Sequence, residues 1–246
     1  HIMKKTLLKL SAVVMSAACI FSSCGKDDPK NNGGLKDPNG EENAKLHESL
    51  KGSEYAVIAL DEESYKAIEK KVTLDLRVDD TSKFLYVWDG TYTAGVCSGL
   101  NFYGEAQGWI SFVVGTVGWS GAGFNIADTA PVKPFVKDAA DMANWKFHFA
   151  YKGAAGVPQC GKIGWNGKEY GFSFGDGVFV DNGTSFPQVL PVSGKFVAND
   201  WNEYEISISD FGIDYTTTSK GNYFSVLSGG VAGTTLDLDA IFYYKK

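Results

Sequence analysis

Histidine and cysteine are scarce in this chain of 246 residues. It contains three histidines and four cysteines, and their positions do not follow the spacing of a zinc site. A His-Glu-x-x-His pair and a P-loop are also missing from the sequence. Chemistry that relies on histidine, on zinc or on a phosphate-binding loop therefore has little support.

Charge is limited as well, since 21% of the residues are charged. The 23 basic and 29 acidic side chains leave a formal net charge of −6 at pH 7. A protein that coats nucleic acid needs an excess of lysine and arginine to neutralise phosphates. The charge balance therefore argues against a nucleic acid partner.

Glycine and aromatic residues are abundant. There are 29 glycines, 16 phenylalanines, 12 tyrosines and six tryptophans. This composition favours strands and turns, and it excludes a coiled coil, a helical bundle or a disordered chain. The length allows one large all-β domain or two small ones. No internal repeat or second zone of composition divides residues 46–246, so we predict a single domain there.

The first 23 residues predict a signal peptide. The first two resemble a cloning remnant ahead of Met3, two lysines then form a basic start, and residues 7–21 are almost entirely apolar. That apolar stretch is too short to span a membrane as a helix. We therefore expect residues 1–23, the signal peptide with its cloning remnant, to be removed.

Residues 21–24, Phe-Ser-Ser-Cys, resemble the lipobox of a bacterial lipoprotein, with Cys24 as the acylated residue. Cys19 is a rival site, but apolar residues would then begin the mature chain. A lipid on Cys24 would hold a domain at a membrane without crossing it. The acidic pair at 27–28 resembles the surface-export signal of Bacteroidota lipoproteins, and an ordinary polar tether is the alternative.

Residues 24–45 predict a lipidated flexible stalk. Beyond Cys24 this segment has no aromatic and no β-branched residue, so it cannot bury enough apolar surface to fold. Removal of residues 1–23 takes away three lysines and no acidic residue, which lowers the net charge from −6 to −9. The mature chain is therefore more acidic than the full sequence.

Apolar and polar residues alternate along most of residues 55–244. This period of two is typical of half-buried antiparallel strands. Asn-Gly and Asp-Gly pairs separate these segments at the spacing of a sandwich, and helix is confined to 62–71 and a short turn at 138–144. We predict an all-β fold, an antiparallel β-sandwich, from alternation that is clearest at 72–78, 145–151, 169–174 and 204–209.

Three segments in the second half resemble a known family. They are WKFHFAYK at 145–152, DWNEYEISISDFG at 200–212 and LDLDAIFYYK at 236–245. Their order resembles the C-terminal half of a β-jelly-roll carbohydrate-binding module, where a strand with alternating aromatics precedes a W-x-x-Y strand and an acidic-then-apolar last strand. The resemblance covers roughly residues 70–246, and many galactose-binding-like domains share its motifs. It implies a galactose-binding-like jelly-roll that binds a polysaccharide or an oligosaccharide.

Sugar recognition needs flat aromatic faces that stack on a pyranose ring, and planar amide or carboxylate groups for its hydroxyls. Loops and strand ends, where binding residues concentrate, offer this mixture at 88–105, 109–123 and 165–168. The ligand-binding residues that we predict from these stretches are Trp88, Asp89, Tyr92, Asn101, Tyr103, Trp119, Trp165 and Asn166.

For four of the six tryptophans, the neighbouring residues in the sequence predict whether the side chain is buried. Trp119 and Trp165 stand among glycines and polar residues, so we expect both to be exposed. Trp145 shares the parity of three other aromatics and belongs to the core. Trp88 lies opposite the apolar residues of its own strand, hence either on a binding face or in the core of a second sheet.

A structural calcium ion is the one cofactor that the resemblance to jelly-roll modules suggests. Asp237 and Asp239 share one face of the last strand, and Asp75 lies on an early strand. Terminal and early strands are commonly neighbours in such sandwiches, so the three carboxylates are candidate ligands. Solvated or hydrogen-bonded aspartates are the alternative.

Two cysteines remain in the domain after processing. Outside the cytoplasm Cys97 and Cys160 can form a disulfide, and closing so long a loop would contribute about 4 kcal/mol in the chain-entropy model. Two reduced, buried thiols are the alternative, and the sequence leaves both readings open.

No catalytic residue is predicted. A glycosidase needs two carboxylates across a cleft, and the Glu-x-Asp-x-x-Glu run of laminarinase-like sandwich hydrolases is missing. The resemblances together imply a non-catalytic surface lipoprotein of Bacteroidota at the outer membrane. Such a protein captures a glycan, in a role similar to the accessory proteins of starch-utilisation-type systems, with an outer-membrane transporter complex as its protein partner. The alternatives are capture of a non-glycan nutrient such as a cobamide, a glycoside hydrolase or lyase on the same scaffold, and an adhesin subunit.

Overall fold

The computed structural model describes residues 5–8, 46–115, 120–228 and 231–246. The predicted signal cleavage site, Cys24, the stalk and Trp119 lie outside these residues. In chain order the strands are β1 (Lys5–Leu8), β2 (Glu54–Ala59), β3 (Val72–Asp75), β4 (Lys83–Trp88), β5 (Tyr92–Cys97), β6 (Trp109–Val114), β7 (Ser120–Ile126), β8 (Trp145–Gly153), β9 (Pro158–Trp165), β10 (Lys168–Gly175), β11 (Val180–Asp181), β12 (Thr184–Ser185), β13 (Asn202–Ser207), β14 (Gly221–Ser228) and β15 (Thr235–Lys245).

Helix is confined to short pieces. Helix α1 (Glu62–Ile68) begins after Asp61, whose carboxylate accepts a hydrogen bond from the Ser64 amide at 2.8 Å and so caps the first turn. Helix α2 spans Ala139–Met142, and 3-10 turns occupy Glu48–Leu50, Glu69–Lys71 and Ile208–Phe211. The predicted helix at 62–71 and turn at 138–144 are therefore confirmed. Among the described residues, no helix combines the length and the apolar character needed to cross a membrane.

The strands form two large sheets. Sheet A has the order β1-β4-β7-β14-β9-β10, and sheet B has the order β13-β8-β15-β2-β3, with β6 and β5 added beside the first half of β15. Neighbouring strands are antiparallel except β2 and β3, which are parallel. The prediction of an all-β, antiparallel β-sandwich is confirmed.

The core lies between the two sheets and is mostly aromatic. Phe147 of sheet B contacts Phe224 of sheet A, with ring centroids 5.4 Å apart, and Phe149 contacts Phe172 in the same way at 5.9 Å. Trp145 is fully buried and packs edge-on against a phenylalanine ring, as its parity predicts. Such large rings bury enough apolar area to hold the two layers together.

Strand β15 is divided between two neighbours. Residues 235–238 pair with β6 and residues 241–245 pair with β2, while β8 runs along the opposite edge of both halves. Ala240, in the left-handed region at φ 51°, produces the irregularity that separates the halves. The C-terminal strand therefore lies in the middle of sheet B.

The outer face of sheet B is covered over its second half. Residues 46–71 fold across it, and side chains of β2 and β15 form a second apolar cluster beneath them. The buried members of this cluster are Leu50, Tyr55, Val57, Ile68, Tyr103, Ala240, Phe242 and Tyr244. This half of sheet B thus has no aromatic face left open to a ligand.

Candidate functional site

The outer face of sheet A carries a different set of side chains. Side chains alternate along a strand, so Asn125 points away from the core because Phe124 and Ile126 point into it. The same reasoning applies to each strand of the sheet and defines the face. Its members are Phe84, Tyr86, Trp88, Gly121, Gly123, Asn125, Cys160, Lys162, Gly164, Glu169, Gly171, Ser173, Asn222, Ser225 and Leu227.

The indole of Trp88 lies flat across the neighbouring strand. A Cβ added to Gly121 would stand 2.7 to 3.0 Å from three carbons of this ring, so the ring faces the glycine broadside. The side chain also packs against a small cluster that includes Cys160 and Leu227, and it stays partly exposed. A side chain at position 121 would force the ring off the sheet, so the glycine is what allows this orientation.

Tyr86 repeats this arrangement two residues earlier. It is paired with Gly123 across the strands, and a Cβ there would lie 2.8 Å from the phenol oxygen. Two alternate residues of β4 therefore extend over two alternate glycines of β7, Trp88 with its ring and Tyr86 with its hydroxyl.

The hydroxyl of Tyr86 is affected by polar side chains from strands that lie beyond β7 in sheet A. Burial and the carboxylate of Glu169 raise the pKa of Tyr86 to about 12, against a hydrogen bond with the Asn222 side chain that lowers it. Glu169 lies on β10, with three strands between it and β4. Side chains of two other strands, β14 and β10, thus affect the hydroxyl of Tyr86.

The face also offers two charges that the protein does not use. Lys162 lies opposite Ser225 on the neighbouring strand and is half-buried. Within residues 46–115, 120–228 and 231–246, neither Lys162 nor Glu169 forms an ion pair. One cation and one carboxylate are therefore free to contact a ligand.

Cys160 lies beneath this face as a free, buried thiol, so the disulfide with Cys97 is not formed. The two residues belong to different sheets, β9 in sheet A and β5 in sheet B. Burial raises the pKa of the Cys160 thiol to about 11, which keeps it protonated and unreactive at neutral pH. The predicted bridge between Cys97 and Cys160 is therefore wrong.

Trp88 and Asp89 lie where a ligand can reach them. Trp88 lies on the outer face and not in the core of a second sheet, the alternative that its sequence also allowed. Asp89 is exposed in the turn that follows. Asn166 is also exposed, in the left-handed region at φ 46° of the predicted Asn-Gly hairpin turn. It stands at the end of the β9-β10 hairpin, beside Thr217.

The predicted exposure of Trp165 is wrong. It is 1% exposed, its indole Nε1 donates to the Thr217 carbonyl at 2.8 Å, and its ring packs between Phe135 and Tyr215. Glycines and polar residues surround it in sequence, but the strand directs it into the core. Ile163 has the same parity and is also buried.

Tyr92, Asn101 and Tyr103 are buried as well, so their assignment to a ligand surface is wrong. Tyr92 packs against the ring of Phe112 in the core. The Asn101 side-chain oxygen accepts hydrogen bonds from two backbone amides, which fixes its own loop. The Tyr103 hydroxyl is hydrogen-bonded to Ser49 under the covered half of sheet B.

The three predicted calcium ligands do not form a cluster. Asp75 pairs with Arg77 at 2.7 Å, and β2 separates its strand from β15. Asp237 accepts a hydrogen bond from Ser111 at 2.5 Å. In the described part of the chain, no group of three His, Cys, Asp or Glu side chains is placed to hold a metal ion.

The buried carboxyl of Asp239 should make the free energy of unfolding depend on pH. Burial raises the pKa of this carboxyl to about 7, although the backbone amides of Phe102 and Ala240 lower it. The folded protein therefore retains a proton that the unfolded chain, with a pKa near 3.8, has released. We expect the contribution of Asp239 to the free energy of unfolding to fall between about pH 4 and pH 7, by at most about 4 kcal/mol.

The measurement is urea unfolding of the wild type and of Asp239→Asn from pH 4 to pH 8. Asparagine keeps an oxygen for the Phe102 amide and carries no titrating group. The wild type should lose stability relative to the variant as the pH rises to 7, and the difference should level off above it. A difference that is constant across this range would contradict the expectation.

Residues 171–175 have the letters Gly-x-Ser-x-Gly, but they do not form a nucleophile elbow. The run lies inside β10, whereas an elbow joins a strand to a helix. Ser173 is buried, its hydroxyl donates to the Phe186 carbonyl at 2.9 Å, and it accepts from the Phe179 amide at 2.9 Å. This serine holds the loop over the face.

Comparisons with known proteins give structural neighbours only. No family model and no curated protein matches the chain. A family 11 carbohydrate-binding module from Clostridium thermocellum, solved in complex with a beta-1,3-1,4-mixed-linked tetrasaccharide, is 12% identical with a TM-score of 0.40, covering 70% of this chain and 94% of that chain. A family 30 carbohydrate-binding module is 15% identical with a TM-score of 0.41, covering 63% and 84%.

A glycoside hydrolase domain, Endo-D from Streptococcus pneumoniae R6, is 12% identical with a TM-score of 0.39, covering 67% of this chain and 22% of that chain. The neighbours thus include carbohydrate-binding modules and parts of hydrolases. At these values nothing about the ligand of this chain follows from them.

The sequence prediction missed most of the face. Tyr86, Lys162, Glu169 and Asn222 come from four strands that are far apart in the chain, and the sheet order alone brings them together. One part of the face could have been predicted from a single segment. The side of β4 opposite its buried leucine and valine carries three aromatic residues, Phe84, Tyr86 and Trp88. Three aromatics on the polar side of a strand indicate an aromatic outer face.

Proposed function

We propose that the outer face of sheet A binds a saccharide. The observation that carries this proposal is that the indole of Trp88 lies with its face against Gly121. Polar side chains of the same face lie beside it. An exposed indole face stacks on the C–H side of a pyranose ring. Gly121 lies beneath the Trp88 ring and lets it lie parallel to the sheet. A sugar chain bound along the face would need this orientation in order to stack on the ring.

The polar groups of the face match the hydroxyls of a sugar. Asn125 and Asn222 carry amides that both donate and accept, Lys162 donates, and Glu169 accepts. One positive and one negative charge nearly cancel, which favours a neutral saccharide over a strongly acidic one. Binding exchanges water hydrogen bonds for protein ones, so the affinity of a single site is modest.

Binding without catalysis is part of the proposal. A glycosidase positions two carboxylates on either side of the scissile bond. Among the strand residues that form the described face, Glu169 is the one carboxylate. This composition supports a role in capture rather than cleavage.

The test is affinity electrophoresis of the full chain through gels that contain soluble polysaccharides of different backbones. Retardation by at least one neutral polysaccharide is expected, with no reducing ends released on prolonged incubation. Lys66→Arg, on helix α1 over the outer face of sheet B, should be retarded like the wild type. No retardation by any polysaccharide would overturn the proposal, and release of reducing ends would overturn its non-catalytic part.

The cellular role rests on the sequence. We propose a lipoprotein anchored through Cys24 at the outer membrane, with residues 25–45 as its tether, that captures glycan for uptake by a transporter complex. Anchored neighbours raise the effective concentration of weak sites. Labelling of cells with a palmitate analogue should mark the wild type and Cys19→Ala but not Cys24→Ala. Label on Cys24→Ala would contradict the anchor.

A further inference from the structure

The outer edge of β4 is closed by β1. Residues 5–8 run antiparallel to it, with Lys5 opposite Trp88 and Leu8 opposite Leu85. This segment precedes the folded region by about forty residues of sequence, yet it adds to the same strand that carries the aromatic face. The backbone of β4 thus accepts an extended chain along its free side.

Two other sheet edges are closed by chain from the domain itself. On β10, the amide of Ser173 donates to Pro187 at 2.7 Å, and its carbonyl accepts from Val189 at 2.9 Å. On β13, the carbonyl of Glu203 accepts from the Val192 amide at 2.8 Å. In the described part of the chain, the edge of β4 is paired with residues 5–8 alone.

Removal of residues 1–23 would therefore open this edge. Natural sheets protect an open edge with proline, charged side chains or a bulge. β4 reads Lys-Phe-Leu-Tyr-Val-Trp, without proline, and its one charged side chain, Lys83, pairs with Asp79. A strand of this composition, once uncovered, is a template for pairing with another chain, because its outward backbone N–H and C=O groups have no partner within the sheet.

We propose that the edge of β4 is a strand-acceptor site for an extended segment of a partner polypeptide. The inference rests on the removal of residues 1–23, and it does not depend on saccharide binding. The partner segment would lie antiparallel, in the position that residues 5–8 occupy here, as in other strand-addition complexes. The occupied edge in this structure shows that β4 presents its backbone in a suitable geometry.

The register defines the chemistry of the partner. Residues directly opposite each other in an antiparallel pair place their side chains on the same face. Partner residues opposite Leu85 and Val87 therefore face the core and should be apolar. Partner residues opposite Tyr86 and Trp88 line the candidate saccharide face, so the partner would contribute to the edge of that site.

The first test compares hydrogen exchange in the full chain and in its Leu7→Pro variant. Proline removes one backbone donor and disfavours the paired strand. Amides of β4 should exchange at least about tenfold faster in the variant, because they lose their cover. Amides of β14, in the middle of the sheet, serve as the internal control and should not change.

The second test adds a peptide with the sequence of residues 3–10 to Leu7→Pro. Binding of this peptide should restore the slow exchange of β4, whereas a peptide with proline at the position of Leu7 should not. Unchanged exchange together with no peptide binding would overturn the inference. Dimers of the variant with a protected β4 would assign the edge to a second copy instead. A chain purified from membranes that retains residues 5–8 would also overturn it.

Discussion

Replacing Trp88 with alanine should weaken saccharide binding by about 30-fold or more. A central tryptophan that stacks on a ligand contributes roughly 2 kcal/mol or more when it is truncated, and 1.4 kcal/mol corresponds to a factor of ten. The loss is expected because the broadside indole over Gly121 is the flat surface of the face. Isothermal titration with the best polysaccharide from the panel measures the change in Kd.

Two variants separate stacking from folding in this experiment. Trp88→Phe keeps an aromatic ring and should retain most of the affinity. Gly121→Ala keeps the indole but places a Cβ 2.7 to 3.0 Å from three of its ring carbons, so it should weaken binding while the protein stays folded. Trp88 also packs against Leu227 and Cys160, so its removal should cost about 1 kcal/mol of stability. Wild-type affinity in Trp88→Ala would contradict the assignment of the face.

Replacing Trp165 with alanine should have the opposite pattern. We expect a loss of about 3–5 kcal/mol in the free energy of unfolding, because a large buried ring leaves a cavity. The carbonyl of Thr217 would also lose its indole donor, which adds to the cost of the cavity. For a domain whose total stability is about 5–15 kcal/mol, this is a large fraction. Urea unfolding followed by circular dichroism measures it.

The saccharide affinity of folded Trp165→Ala should stay close to that of the wild type at low temperature. Asn166→Gly is the matched control for stability, since it changes the adjacent residue and keeps the left-handed turn. It should unfold within about 0.5 kcal/mol of the wild type. A Trp165→Ala protein that unfolds like the wild type but no longer binds saccharide would return Trp165 to the ligand surface.

Local patterns were sufficient for the strands and for part of the core. Alternation at 145–151 predicted β8 and the burial of Trp145, because burial on one face of a strand imposes a period of two on the sequence. The Asn-Gly pair at 166–167 predicted the β9-β10 hairpin, since both residues must adopt positive φ. These features depend on neighbours in the chain, and a sequence shows such neighbours directly.

The exposure of a strand residue follows its parity in the strand, and not the composition of its neighbours in sequence. Trp165 has polar neighbours and a turn after it, yet it shares the parity of Ile163 and lies in the core. Trp88 has the opposite parity from Leu85 and Val87 and lies outside. Parity within a strand was the better guide for both tryptophans, because the direction of a side chain follows the backbone.

The sequence alone does not predict which residues form the candidate face. Glu169 and Asn222 act on Tyr86 only because of the order of strands in sheet A. That order depends on non-local pairing, and no single segment encodes it. The role of Gly121 and Gly123, which make room for Trp88 and for the hydroxyl of Tyr86, appears only when β4 is placed beside β7.

The position of β15 has a consequence for the order of folding. Its eleven residues supply the strand on which β8, β6 and β2 all depend. Sheet B is complete only when β15 has joined β2, and contacts between segments so distant in sequence form slowly. The pairing of β2 with β15 should therefore be a slow step in the folding of this domain.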